Sequence, residues 1–221
     1  MGYHFDFSDL WGYREVFLKG IWLTAVLTVV GCGLGIGVGI AGAASRQYGP
    51  PWLRVIVGTY VELMRNTPFI VQLFFIFFGL PALGVKLGEV QAAIIAMVIN
   101  LGAYSTEIIR AGLAATPKGQ VEAGETLALS GPQIFRHVIL APALRRIWPA
   151  LSSQCVIVML GSAVCSQISA EELTFAANFI ASRNFRNFEV YFVTTIIYLG
   201  LAIGLRQVFR LIGRRVLGAK S

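Results

Sequence analysis

Charged residues divide this chain into a series of long apolar stretches. Uncharged runs of 26 residues (20–45), 20 residues (66–85), 17 residues (90–106), 24 residues (147–170) and 16 residues (190–205) lie between successive charges. A bilayer core about 30 Å thick takes roughly 17 to 25 apolar residues per helix, so each run is long enough to cross or nearly so. The last is short, but Arg206 can extend it by reaching toward the interface. The pattern predicts an all-α membrane protein with five transmembrane helices in one domain, residues 1–221.

Composition agrees with the pattern. Of the 221 residues, 56% are hydrophobic and only 13% charged, and mean hydropathy is +0.72, which excludes a water-soluble globule. Net charge is +7, and its distribution gives the orientation. Segments 45–54, 110–146 and 206–221 hold 12 basic residues against Glu122 and Glu125, whereas 1–19, 80–90 and 170–190 hold 5 basic against 7 acidic. Basic flanks stay cytoplasmic, which predicts an outside N-terminus and a cytoplasmic C-terminus and makes the positive charge a matter of topology rather than of nucleic-acid binding. The run Arg206, Arg210, Arg214 and Arg215 can also attract anionic lipid. The N-terminal residues have no basic region before the first apolar run, so a cleaved signal is not expected.

The first apolar run carries Gly31, Gly33, Gly35, Gly37, Gly39 and Gly42. Spacings of four strip side chains from two helix faces and predict close backbone packing within or between subunits. No GxxxxGK[ST] phosphate loop occurs anywhere in the chain. Cys32, Cys155 and Cys165 lie in apolar runs without a CxxC pair, and they read as packing residues rather than metal ligands.

The polar interval 110–146 is too long and too regular for a simple connector. Gln120 to Leu129 reads as a short helix with Val121, Leu127 and Leu129 as apolar contacts, ended by Ser130-Gly131-Pro132; a second amphipathic stretch, Gln133 to Leu140, leads to Pro142. On residue pattern alone the interval is either a docking element or a hairpin on the membrane surface.

Here the chain resembles a known family. GQVEAGETLALSGPQIFRHVILAPAL, preceded by NLGAYSTEIIRAGLAATPKGQ, is similar to the EAA signature of permease subunits of bacterial ABC importers. YVELMRNTPFIVQLFFIFFGLP resembles the second-span signature of their polar amino acid branch, and ISAEEL with NFIASRNFRNFEVY its last outer loop; the likeness runs over about 18–215. It implies a type I ABC importer permease fold in a multi-pass inner-membrane protein that takes up polar amino acids. This chain would itself hold no cofactor and catalyse nothing; ATP and magnesium would be bound by a separate cytoplasmic ATP-binding subunit. A periplasmic solute-binding protein and a second permease subunit, the same or homologous, complete the implied partners, with lipid around them. The loop would be the coupling helix in the ATPase groove, involving Gln120, Val121, Glu122, Ala123, Gly124, Glu125, Leu127, Ala128 and Ser130. Gly124 replaces a signature alanine and Ala128 the signature glycine; a helix through both would lose and regain about 1 kcal/mol. Leu160-Gly161-Ser162-Ala163-Val164 stands where the branch often has K-D-T-S-L, so a cationic specificity does not carry over.

Charges inside spans are costly and ask for a role. Glu62/Arg65 and Glu107/Arg110 are both i,i+3 pairs with the acid first. Each can neutralise itself; Glu107 and Arg110, near a span end, read as structural or gating. Glu62 and Arg65 precede Pro68, which interrupts the helix and frees carbonyls for a partner. An amino acid zwitterion needs donors and acceptors, which Glu62, Arg65, Thr67, Tyr104, Ser162 and Ser166 offer, although transmembrane hydroxyls often bond their own helix. Two rivals remain on residues alone. A secondary transporter or channel would need no ATPase, and an intramembrane hydrolase using Ser162 would lack a base, since His4 and His137 lie outside the spans.

Overall fold

The computed structural model describes residues 5–217, and every element among them is helical. After a 3-10 turn at Ser8–Tyr13, α1 (Arg14–Tyr48) runs without a proline for 35 residues, about 52 Å at 1.5 Å per residue. Pro50 cannot continue it. Pro51 instead opens α2 (Pro51–Arg65), and the corner is tied by Arg54 Nε donating to the Gly49 carbonyl at 2.8 Å. α3 (Phe69–Ala82) follows, then α4 (Glu89–Ala114), α5 (Lys118–Thr126), α6 (Gly131–Ile168), α7 (Leu173–Asn184) and α8 (Asn187–Leu217).

Among the described residues four helices are long and apolar enough to cross a membrane: α1 with its leading turn, α4, α6 and α8. The run 66–85 opens on the interruption that Pro68 predicts. Pro68 removes an N–H and disfavours helix at Thr67, so α2 and α3 meet at 113°. Taken as one broken span they make the fifth crossing. Chain direction requires it: Gly31, Gly35 and Gly39 of α1 face Met97, Leu101 and Ser105 of α4 in ascending order, so α1 and α4 are parallel and the chain must return between them.

The glycine faces divide. A Cβ at Gly35 would lie 2.8 Å from Leu101 Cβ, and Gly39 and Gly42 press more closely still on Ser105 and Thr106, whereas Gly33 and Gly37 meet nothing within 4 Å. Leu27, Met97, Leu101, Cys155 and Cys165 fill the core around this seam, and the three cysteines are free and buried.

Two polar intervals are more structured than the sequence suggests. Ser130-Gly131-Pro132 does not end a helix but starts α6: Gln133 Oε1 accepts from both Ser130 N (2.8 Å) and Ser130 Oγ (2.9 Å). Gln133 to Leu140 is therefore the first part of α6, which accommodates Pro142 beside a π-helical segment at Ile134–Leu140. Segment 170–190 holds α7, which buries Leu173, Ala177 and Ile180 against Phe17 and Val190. Arg186 binds Asp6 at 3.1 Å and Asp9 at 3.6 Å, fixing the start of the chain to the α7–α8 corner. The loop sets separated by the charge tally thus lie at opposite ends of the bundle, apart from Lys220, which is outside the described residues.

Candidate functional site

The break at 66–68 is stitched from within. Thr67 Oγ donates to the Leu63 carbonyl at 2.8 Å and Asn66 Nδ2 to the Glu62 carbonyl at 2.8 Å. Gln72 Nε2 donates to the Met64 carbonyl (2.8 Å), the Thr67 carbonyl (3.1 Å) and Thr67 Oγ (2.9 Å), while its Oε1 accepts from Asn100 Nδ2 at 2.9 Å. The carbonyls freed by Pro68 therefore find partners in the chain itself. Gln72, buried beneath the break, is the residue that sequence reasoning passed over. A polar side chain four positions after a proline, in an otherwise apolar run, was the available signal.

The candidate path residues are distributed unevenly around this break. Glu62, Arg65 and Thr67 are exposed. Tyr104 comes to them from α4: its ring lies 5.7 Å from the Arg65 guanidinium and its hydroxyl 3.5 Å from the Arg65 carbonyl. Glu62 and Arg65 form no ion pair, and Glu62 Oε2 accepts from Asn66 Nδ2 at 3.1 Å instead. Ser162 and Ser166 sit apart, at the 3-10 end of α6, where their hydroxyls donate to the carbonyls of Met159 (2.6 Å) and Ala163 (2.8 Å). A cavity of about 130 Å³ lies between α3, α4 and α6, lined by Phe69, Met97, Asn100, Ile157, Val158, Gly161 and Val164. None of the six path residues lines it, and Asn100 is its one polar side chain.

Glu107 and Arg110 do close. Arg110 donates through Nε to Oε2 at 3.0 Å and through Nη2 to Oε1 at 2.5 Å, a two-bond clamp near the end of α4.

At the arginine-rich end, α5 presents the signature residues. Gln120, Glu122, Ala123 and Glu125 are exposed, Val121 is half-buried, and Gly124 alone is buried, against Ile134 and Val138 of α6. An alanine Cβ at Gly124 would stand 3.2 Å from Ile134 Cγ1, so the glycine lets α5 lie closely on α6. Leu127, one of the apolar contacts read from the pattern, is 75% exposed. Ala128 is not helical. It takes φ 56°, and the Leu129 N–H turns back to the Gly124 carbonyl at 3.1 Å, a left-handed helix stop where glycine is the comfortable residue. The substitution for glycine there costs conformational energy rather than restoring helix propensity.

A second residue missed by the sequence reading is Glu172, at the start of α7 outside the spans. It is fully buried; Oε1 accepts from Phe175 N at 2.9 Å and Oε2 from the Tyr198 hydroxyl at 2.6 Å. Burial pushes its carboxyl above the usual carboxylate range, against the opposing pull of those hydrogen bonds. In the sequence it is indistinguishable from its exposed neighbour Glu171.

A broken second span, parallel glycine-sealed helices and an exposed short helix at the basic end make this a multi-span helical membrane protein. Residues 33–218 match the family model described as "Binding-protein-dependent transport system inner membrane component". The chain belongs to this family. It is 32% identical to the "Glutamine transport system permease protein GlnP" of Escherichia coli (strain K12) over 96% of this chain and 98% of that one. It is 35% identical to the "L-cystine transport system permease protein TcyB" of Bacillus subtilis (strain 168), over 89% and 85%. Among solved structures, "Crystal structure of an amino acid ABC transporter with histidines" superposes with a TM-score of 0.89 at 31% identity, covering 97% of this chain and 100% of that chain. A MetNI methionine ABC transporter, at 21% identity and a TM-score of 0.68, shares the fold. The protein is a permease component of the amino acid ABC importer type and is integral to a membrane, with the type I importer fold.

Proposed function

We propose that this subunit forms the transmembrane path through which a polar amino acid, delivered by a periplasmic binding protein, enters the cell at the expense of ATP hydrolysed by a separate cytoplasmic subunit. That partner holds ATP and magnesium; a second permease chain, identical or homologous, completes the path in the inner membrane. In this reading the N-terminus is periplasmic and the ends bearing α5 and the end of α8 are cytoplasmic, which the distribution of basic residues supports. The named substrates of its relatives, glutamine and cystine, support a polar amino acid. Glu62, Arg65, Thr67 and Tyr104, with Ser162 and Ser166 at the 3-10 end of α6, offer it charge and hydrogen bonds, and the Glu107–Arg110 clamp steadies or gates the cytoplasmic end.

The observation that carries this reading is α5. An isolated nine-residue helix is unstable in water, yet this one is held by its seat on Ile134 and presents exposed Leu127 beside Glu122 and Glu125. Such a face suits the groove of a partner, and drawing two of them together would switch a permease pair between its openings.

Ala123→Pro tests it. The substitution costs about 3 kcal/mol of local helix stability and is expected to abolish copurification with the ATPase while the spans still insert; an unchanged yield of complex removes α5 from the interface. Orientation has its own test. An impermeant thiol reagent on intact cells is expected to label Ser8→Cys and not Gly119→Cys, and the reverse pattern inverts the topology.

A further inference from the structure

Two charges of opposite sign line one small pocket without pairing. At the end of the bundle that carries the N-terminal turn, α1 and α7 enclose a hollow of about 160 Å³, lined by Val16, Lys19, Glu171, Phe175, Ala176 and Phe179. Its backbone walls are fixed. Gly20 seats α7 on α1 so closely that a Cβ there would stand 2.9 Å from Leu173 Cα and 3.1 Å from the Glu172 carbonyl oxygen, and the Leu173 N–H donates to Thr24 Oγ1 at 3.1 Å. The glutamate doublet divides at this seat. Glu172 is fully buried and accepts from Phe175 N, whereas Glu171 is exposed and shares the pocket with Lys19, which is exposed as well. Among the described residues neither Lys19 nor Glu171 forms an ion pair, with the other or with a third group. Arg183 lies over the Phe179 ring at 4.5 Å and adds positive charge beside the pocket.

We infer that this pocket binds a small zwitterion, with its oxyanion on Lys19, its primary ammonium on Glu171 and its carbon atoms against Val16, Phe175 and Phe179. An ammonium on α1 and a carboxylate on α7, held apart beside an apolar surface, are the complement of a molecule that carries both charges a few bonds from each other. Each end gains a charge-assisted hydrogen bond, about twice as strong as a neutral one. The tight α1–α7 seat spares the cost of ordering the walls. The size agrees, since a hollow of about 150 Å³ takes a molecule like benzene. Two sources share this chemistry, a free α-amino acid in solution and the phosphatidylethanolamine headgroup at a membrane surface. A quaternary ammonium offers Glu171 no N–H, so phosphatidylcholine and glycine betaine fit poorly. The pocket is separate from the candidate path residues, and the inference rests neither on the transported substrate nor on the orientation assigned above.

Two binding measurements on the full chain in detergent test it. One is equilibrium dialysis with radiolabelled L-glutamine, the amino acid named for one relative; the other is native mass spectrometry from micelles holding equal amounts of phosphatidylethanolamine and phosphatidylcholine with the same acyl chains. The expected result is saturable L-glutamine binding that glycine betaine does not displace, or preferential retention of phosphatidylethanolamine, and which of the two occurs identifies the source. Lys19→Gln and Glu171→Gln are each expected to weaken that binding on the order of tenfold, whereas Lys19→Glu combined with Glu171→Lys, which exchanges the charges and keeps both, stays within about threefold of the parent chain. Both positions are exposed, so the fold tolerates these changes. Lys86→Gln, an exposed cation outside the pocket, should leave binding unchanged. Binding of neither ligand overturns the inference. So does a loss confined to one of the two single variants, which makes the pocket a plain anion or cation site, or a charge-exchanged variant as weak as the single ones. L-Glutamine bound equally by every variant, without any preference for phosphatidylethanolamine, belongs to another site in the chain; that outcome overturns this inference and leaves the proposed function standing.

Discussion

Glu62/Arg65 and Glu107/Arg110 share residue types, order and spacing, yet one pair stays open and the other closes into a clamp. Glu107 and Arg110 lie within α4, which continues to Ala114, so both side chains emerge from regular helix on one face. Arg65 is the last residue of α2. Beyond it the chain turns, Asn66 reaches back to Glu62, and the Tyr104 ring comes close to the guanidinium. Intrahelical pairing is thus conditional: it holds where the helix goes on and fails where a neighbour across a break offers another partner. An open pair leaves both charges available to something outside the chain; a closed pair does not.

The contrast depends first on the stitching of the break. Gln72→Leu strips partners from the Met64 and Thr67 carbonyls and from Asn100, and is expected to cost about 2–4 kcal/mol in denaturant unfolding of the detergent-solubilised protein; an unchanged midpoint would show that the break is held by something else. Uptake into proteoliposomes comes next. Glu62→Gln, Arg65→Gln and the double change are each expected to lower transport on the order of tenfold, equivalent to about 1.4 kcal/mol, with binding-protein docking and basal ATPase activity retained. Full transport by the double variant would return the pair to a mutual-neutralisation role.

Stability sharpens the comparison further. Glu107→Gln weakens a charge-assisted clamp and should cost about 1 kcal/mol. Glu172 gives a pH signature of its own. Its folded form holds a proton more tightly than the unfolded chain does, so its contribution is fully present below the ordinary carboxylate range and is lost as pH rises through the elevated folded value. Glu172→Gln should flatten that part of the stability–pH curve. The smallest effect is on the open pair, where Glu62→Gln should shift stability by no more than about 0.5 kcal/mol because the residue is exposed.

Much of the architecture is legible in the spacing of charges, because a charge at membrane depth is too costly to place at random. The four long spans and the two-ended distribution of arginines come directly from it. The break in the second span was announced by Pro68, but its closure by Gln72 was not, since which side chain meets a freed carbonyl is decided by the bend itself. For α5, the helix was readable and its stop was not. Ala128 in left-handed conformation runs against the residue's own preference and reflects the demand of the α5–α6 corner. Glu172 was invisible for a similar reason: burial depends on what α7 packs against, and no local pattern separates it from Glu171.

The α1–α4 seam has a mechanical meaning. With Gly35, Gly39 and Gly42 set almost backbone to backbone against Leu101, Ser105 and Thr106, rotating either helix would drive a side chain into its neighbour's main chain, and a close-packed interior has little compliance to absorb it. The two helices form a single beam. Whatever bending this molecule undergoes is therefore left to the places where helical hydrogen bonding is interrupted, among them 66–68 and the turns on either side of α5.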